Sequence, residues 1–69
     1  MPDHPQLANR LKELRTAAGL TQAELALQIR VSRKTINTIE NGVFVPSTIL
    51  ALRLSEALRA PVESIFRLP

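Results

Sequence analysis

Apolar residues recur along the chain at helical spacing and are interrupted by capping residues and turn pairs. Leu7, Leu11 and Leu14 stand at i, i+4 and i+7, while Asp3 followed by Gln6 has capping-box spacing with Pro5 in the first turn. A first helix is predicted over about residues 4–18, stopped by Gly19. Thr21 and Glu24 form a second capping box, each side chain able to satisfy the other's free backbone N–H, so a second helix runs from Gln22 to about Ile29. Ser32 caps a short third helix over about 33–41, with Ile36 and Ile39 on one face and Asn41-Gly42 as its closing turn. Pro46 holds the preceding residue extended and Ser47 caps the apolar-rich fourth helix, Ile49 to Leu58. Pro61 suits the first turn of a last short helix containing Val62, Ile65 and Phe66, and the final Arg-Leu-Pro is expected to be extended.

The 69 residues make one domain, 1–69, near the lower size at which a core holds without disulfides or metal. The sequence contains no cysteine, so disulfides and thiolate zinc sites are excluded and helix packing or self-association must supply the stability. Apolar residues make up 45% of the chain, and only Phe44 and Phe66 are aromatic, which favours a helical core of Leu, Ile, Val and Ala. Nine Lys and Arg against six Asp and Glu give a net charge of +3, suited to a polyanionic partner, although such a charge also serves solubility alone. The N-terminus lacks the pattern of a secretion signal, and no stretch reaches the roughly 18 apolar residues of a membrane span, so a cytoplasmic protein is expected.

Residues 21–42 read as two short helices joined by a tight turn, the layout of a DNA-reading helix pair. On a wheel of about 100° per residue, Ile36, Ile39 and Ser32 fall toward one side of the third helix. Lys34, Asn37, Thr38 and Asn41 fall opposite, with Arg33 at the boundary. Arg and Lys can donate to guanine O6 and N7, Asn can pair with adenine, and Thr can offer thymine either a hydroxyl or a methyl. The plain alternative is that this is only the solvated face of an amphipathic helix.

The wider pattern weighs against that alternative. Asn9-Arg10-Leu11-Lys12-Glu13-Leu14-Arg15, Gly19-Leu20-Thr21-Gln22-Ala23-Glu24-Leu25-Ala26, Val31-Ser32-Arg33-Lys34-Thr35-Ile36, Ile39-Glu40-Asn41-Gly42 and Pro46-Ser47 occur in an order and spacing that resemble the Cro/phage-repressor type of helix-turn-helix regulators. The resemblance covers nearly the whole chain. It implies an all-α, compact five-helix lambda repressor-like domain whose helices two and three form the helix-turn-helix, about 21–41. Residues matching Arg33, Lys34, Thr35, Asn37 and Thr38 lie at or near the bases in that family. Gln22, Ser32 and Asn41 match phosphate-contacting positions, and Arg15 with Glu40 matches a structural ion pair. The implied partner is double-stranded DNA, with no cofactor, no metal and no small-molecule ligand, in a prokaryotic or phage cytoplasm.

Two positions depart from the family. Arg30 stands in the turn where glycine is usual because φ is positive there, and its long side chain adds a candidate phosphate contact; Arg59 stands likewise after helix four. One short helix reads too few bases for high specificity, so a homodimer spanning two half-sites of a pseudo-palindromic operator, about 34 Å apart, is expected. Ile49, Leu52, Val62, Phe66 and Leu68 are candidates for its apolar seam, the alternative being that they complete the monomer core. An enzymatic reading has little support, since His4 is the only histidine and no glycine-rich phosphate loop or recognisable carboxylate pair accompanies it. Transcriptional repression is the leading expectation. The rivals are an antitoxin or co-regulator acting mainly through protein contacts, and a controller protein of a restriction-modification system.

Overall fold

Side-chain caps set the starts of three helices. Ahead of α2 (Gln22–Ile29), the Thr21 hydroxyl accepts the Glu24 N–H at 3.0 Å, and the Glu24 carboxylate accepts the Thr21 N–H at 2.8 Å. Ser32 accepts the Thr35 N–H at the start of α3 (Arg33–Glu40), and Ser47 accepts the Leu50 N–H at the start of α4 (Thr48–Leu58). The computed structural model describes residues 4–69, and these elements fall where capping residues predict them.

The ends of α1 (Leu11–Ala17), α2, α3 and α4 share one geometry. Each is followed by a residue in the left-handed region: Gly19, Arg30, Gly42 and Arg59, with φ of 74°, 63°, 70° and 52°. The next residue's N–H then reaches back five positions, Leu20 to Arg15, Val31 to Ala26, Val43 to Thr38 and Ala60 to Ser55, at 2.9–3.1 Å. This satisfies a carbonyl that the helix end would otherwise leave free.

The first helix is shorter than the leucine spacing predicts, beginning at Leu11 instead of near residue 4. Asn9 accounts for the difference. Its Oδ1 accepts the Leu11 N–H at 3.1 Å and its Nδ2 donates to the Ile39 carbonyl at 3.0 Å, while the Arg10 N–H donates to the Ile65 carbonyl at 2.7 Å. These bonds hold β1 (Ala8–Asn9) antiparallel to β2 (Phe66–Arg67), with Ala8 opposite Arg67 and Asn9 opposite Phe66. The helical domain therefore carries a two-stranded ribbon tying its two ends together, and Phe66 belongs to β2, beyond α5 (Val62–Ile65). Pro5 and Gln6 lie in a turn in which His4 Nδ1 accepts the Gln6 N–H at 3.1 Å. Asp3, the other half of the expected first capping box, lies outside the described residues.

The core takes one side chain or more from every helix: Leu11, Leu25, Ile36, Ile39, Leu54 and Ile65 are fully buried, with Ala26, Ile29, Leu50 and Phe66 closing around them. At roughly 1.5–3 kcal/mol for each fully buried large aliphatic or aromatic side chain, this cluster is the main favourable term for so small a chain. It also fixes α3 by its inner face and leaves the opposite face outside.

Candidate nucleic-acid interface

The seat of α3 comes before its outward chemistry. Ile36 and Ile39 fill the core, and Glu40 beside them is also buried. Arg15 of α1 meets that carboxylate as a fork, Nε to Oε2 at 2.6 Å and Nη2 to Oε1 at 3.2 Å, and its Nη1 donates to the Leu20 carbonyl at 2.8 Å. Both charges are thus paired, and among the described residues no buried side-chain nitrogen or oxygen lacks a hydrogen-bond partner. Such a pair adds little over an apolar replacement, but removing one member strands a buried charge.

From this pair a chain of amides leads to the surface. Gln22 Nε2 donates to Glu40 Oε1 at 3.0 Å and to Asn37 Oδ1 at 3.2 Å. Asn41 Nδ2 donates to the same Asn37 Oδ1 at 3.1 Å and to the Asn37 carbonyl at 2.9 Å. Gln22 therefore spends its amide hydrogens inside the protein, so it can donate to a phosphate only by exchanging one of these bonds. The first-turn N–H groups of Gln22 and Ala23, which a helix leaves without intrahelical partners, remain for an anion. Asn37 keeps its Nδ2 free while its oxygen is held twice, which orients the side chain on the outer face.

Arg33, Lys34 and Asn37 are exposed on that face, and among the described residues neither cation has a carboxylate within ion-pair distance. Thr35 and Thr38 are half-buried, and each hydroxyl makes an internal hydrogen bond: Thr38 donates to the Thr35 carbonyl at 2.9 Å, and the Thr35 and Ser32 hydroxyls bond each other at 3.1 Å. Beside them the loop after α3 brings up two residues that periodicity did not single out, Val43 and Phe44, 72% and 45% exposed. With Ser32, Lys34, Thr35 and Thr38 they enclose an open, mainly apolar cleft of about 300 Å³. The available signal was the run Val43-Phe44-Val45 between Gly42 and Pro46, three consecutive apolar residues outside any helical period.

Arg30 sits in the turn between α2 and α3, two residues before Ser32. It lines a second cleft, about 550 Å³, with Gln28, Arg53, Glu56 and Arg59 between the ends of α2 and α4, and shares no lining residue with the cleft beside α3. Its left-handed backbone is the conformation that the glycine of related turns supplies.

The apolar seam residues divide. Ile49, Leu52 and Leu68 are exposed and Val62 is half-buried, whereas Phe66 is only 7% exposed. Phe66 is therefore corrected to a core residue: ribbon pairing turns it into the hydrophobic cluster, and at the surface it contributes only to the wall of a cleft of about 300 Å³ shared with Leu7, Val45, Pro46, Leu52 and Val62. Among the described residues no helix is long and apolar enough to cross a membrane, and no three His, Asp or Glu side chains gather as metal ligands do.

The helix-turn-helix family model matches residues 11–65. The chain is 39% identical over 60 residues to the HTH-type transcriptional regulator YgzD of Bacillus subtilis, covering 87% of this chain and 91% of that protein. It is 48% identical over 57 residues to an HTH-type transcriptional regulator of Methanothermobacter thermautotrophicus, covering 81% and 83%. Among solved structures it is similar to the restriction-modification controller protein C.AhdI of Aeromonas hydrophila, with a TM-score of 0.75 and 36% identity over 80% of this chain and 83% of that one. It is also similar to the clp gene regulator ClgR of Corynebacterium glutamicum, with a TM-score of 0.72 and 35% identity over 75% and 55%.

Proposed function

The chain belongs to the helix-turn-helix family of transcriptional regulators and carries its DNA-binding domain, and from that premise we propose that it is a homodimeric repressor that reads a pseudo-palindromic operator through the major groove. The observation that carries this reading is the two-sided construction of α3. Ile36, Ile39 and Glu40 lock it from within, and Arg33, Lys34 and Asn37 stand free outside. Arg33 and Lys34 donate to guanine edges, the unengaged Asn37 Nδ2 donates to an adenine N7, and Thr35 and Thr38 complete the base-facing set. The first turn of α2 at Gln22, together with Ser32, meets phosphates on either side and fixes the register, and Asn41 joins them by exchanging one of its amide bonds to Asn37. Arg30, in the turn two residues before Ser32, adds a further phosphate contact.

Two copies pair through Ile49, Leu52, Val62 and Leu68, with Phe66 as the floor of the seam, because a helix face this apolar is otherwise left in water. Control of dimer concentration then sets operator occupancy. A second reading, a controller protein of a restriction-modification system, is favoured by the likeness to C.AhdI and uses the same interface. Neighbouring genes decide between the two settings.

The test is fluorescence-anisotropy titration of DNA from upstream of the protein's own gene against a scrambled fragment at several salt concentrations. The expected result is a preference of about a hundredfold or more and a salt slope of several released counterions, both reduced by Lys34→Ala. Equal weak binding to both fragments, with the same outcome for a selected random library, would refute sequence-specific reading.

A further inference from the structure

We propose that the cleft formed by Val43 and Phe44 against Thr35 and Thr38 is a seat for the C5-methyl group of a thymine, which makes the loop after α3 a specificity determinant. The inference rests on the major-groove reading above and adds to it a binding site and an occupant.

The loop's chemistry excludes the ordinary use of a segment beside DNA. Between Asn41 and Arg53 the sequence has no basic residue, so no side chain here neutralises a phosphate. Its leading backbone donors are also engaged, with the Val43 and Phe44 N–H groups both bonded to the Thr38 carbonyl at 2.9 and 3.2 Å. Those two bonds fix the apolar pair to the last turn of α3. The pair is exposed nonetheless, an arrangement that makes sense when something apolar comes to cover it.

The threonines point to the same occupant. Thr38 has given its hydroxyl hydrogen to the Thr35 carbonyl, and the Thr35 hydroxyl is tied to Ser32. With its hydrogen committed, Thr38 has no donor for a thymine O4, and toward such a base it presents its γ-methyl. The cleft is lined by Thr35, Thr38, Val43 and Phe44 and is mainly apolar, and Lys34, which also lines it, is there to hold an adjacent acceptor or phosphate. In the major groove the only apolar group on any base edge is the thymine methyl. Toward a thymine, whose O4 only accepts, the committed Thr38 hydrogen favours the methyl contact, while the remaining hydroxyl lone pairs serve only a donor such as adenine N6.

The experiment uses the full chain and the best site selected from a random DNA library. Each thymine of that site is replaced singly by deoxyuridine, which removes the methyl and leaves every hydrogen-bonding atom in place. The expected result is one thymine per half-site at which binding weakens about fourfold per replaced methyl, the ~0.8 kcal/mol of one buried carbon group converted at ~1.4 kcal/mol per tenfold. In Val43→Ser and Phe44→Ser, whose folding is checked by melting temperature, the thymine-to-uracil ratio at that position falls toward one. Selective binding with no thymine-to-uracil difference anywhere would overturn the methyl seat while leaving the reading helix intact. So would a ratio that survives in both variants. Variants that weaken all sequences equally would assign the loop to deoxyribose packing and also overturn it. Failure of the wild-type chain to select any site would overturn the major-groove reading itself and the seat with it.

Discussion

Helices α3 and α4 are built by the same local rules and end in opposite surroundings. Each opens on a serine whose hydroxyl takes the N–H three residues on, each buries one face in the shared core, and each is followed by a left-handed residue. The faces turned away from the core differ. On α3 it carries Arg33, Lys34 and Asn37, whereas on α4 it sets Ile49 and Leu52, 64% and 58% exposed, beside one charge of each sign, Arg53 and Glu56. Propensity and capping make the helix, and the three or four residues left outside decide whether it meets a polyanion or an apolar surface. A single small core can therefore support two recognition surfaces, provided that each helix is held from within.

Removing that internal support from α3 alone gives the largest expected effect. Glu40→Ala leaves the Arg15 guanidinium buried without its carboxylate and frees Gln22 from its anchor, costing about 3–5 kcal/mol. Thermal melting should fall sharply, with DNA affinity falling alongside it. An unchanged melting curve would show that the pair does not hold the helix.

On α4 the corresponding change spares the fold. Leu52→Lys places a charge on the seam without touching the buried face, so melting stays near that of the parent while self-association weakens about tenfold or more. Sedimentation across micromolar to millimolar concentration checks this. A parent chain that sediments as a monomer throughout would remove the seam from the comparison.

Smaller effects come from the helix ends. Gly19 and Gly42 take the left-handed conformation freely, while Arg30 and Arg59 take it against a Cβ. Arg30→Gly should therefore raise stability by about 1 kcal/mol in denaturant unfolding, and lower stability in that variant would show that the arginine side chain contributes more than its backbone costs.

The smallest effect is a pH dependence at the start of α2. The backbone N–H of Thr21, followed by its side chain, holds the Glu24 carboxyl below the ordinary glutamate range. A depressed folded-state value means that the contribution is complete above the unfolded value and is lost as pH falls through the folded one. Melting of Glu24→Ala should accordingly lose its small deficit relative to the parent as acid is added. A deficit constant across that range would show that the capping carboxylate carries no linked proton.

Much of this arrangement was legible in the residues. Capping pairs at Thr21–Glu24, Ser32 and Ser47 located α2, α3 and α4 because they act within a single turn, where sequence neighbours are spatial neighbours. The positive φ at Arg30 and Arg59 followed from the family resemblance, since a shared turn carries its backbone conformation with it. The start of α1 departs from the leucine spacing because that period continues through Leu7 while Asn9 binds the backbone thirty residues away at Ile39. Phe66 was placed with the exposed seam because a strand pairing with Ala8–Asn9 leaves no local signature in two residues.

The sequence by itself determined the helices, their caps, the basic outer face of α3 and the absence of thiol chemistry, all of which depend on residue type and short-range spacing. Tertiary structure decided how those parts are used. It committed Gln22 to Glu40 and Asn37, committed the Thr38 hydroxyl hydrogen to the Thr35 carbonyl, and brought Val43 and Phe44 against the reading helix. Each of these is a choice among partners, and a side chain's partner is fixed only when packing brings distant backbone and side chains within about 3 Å of it.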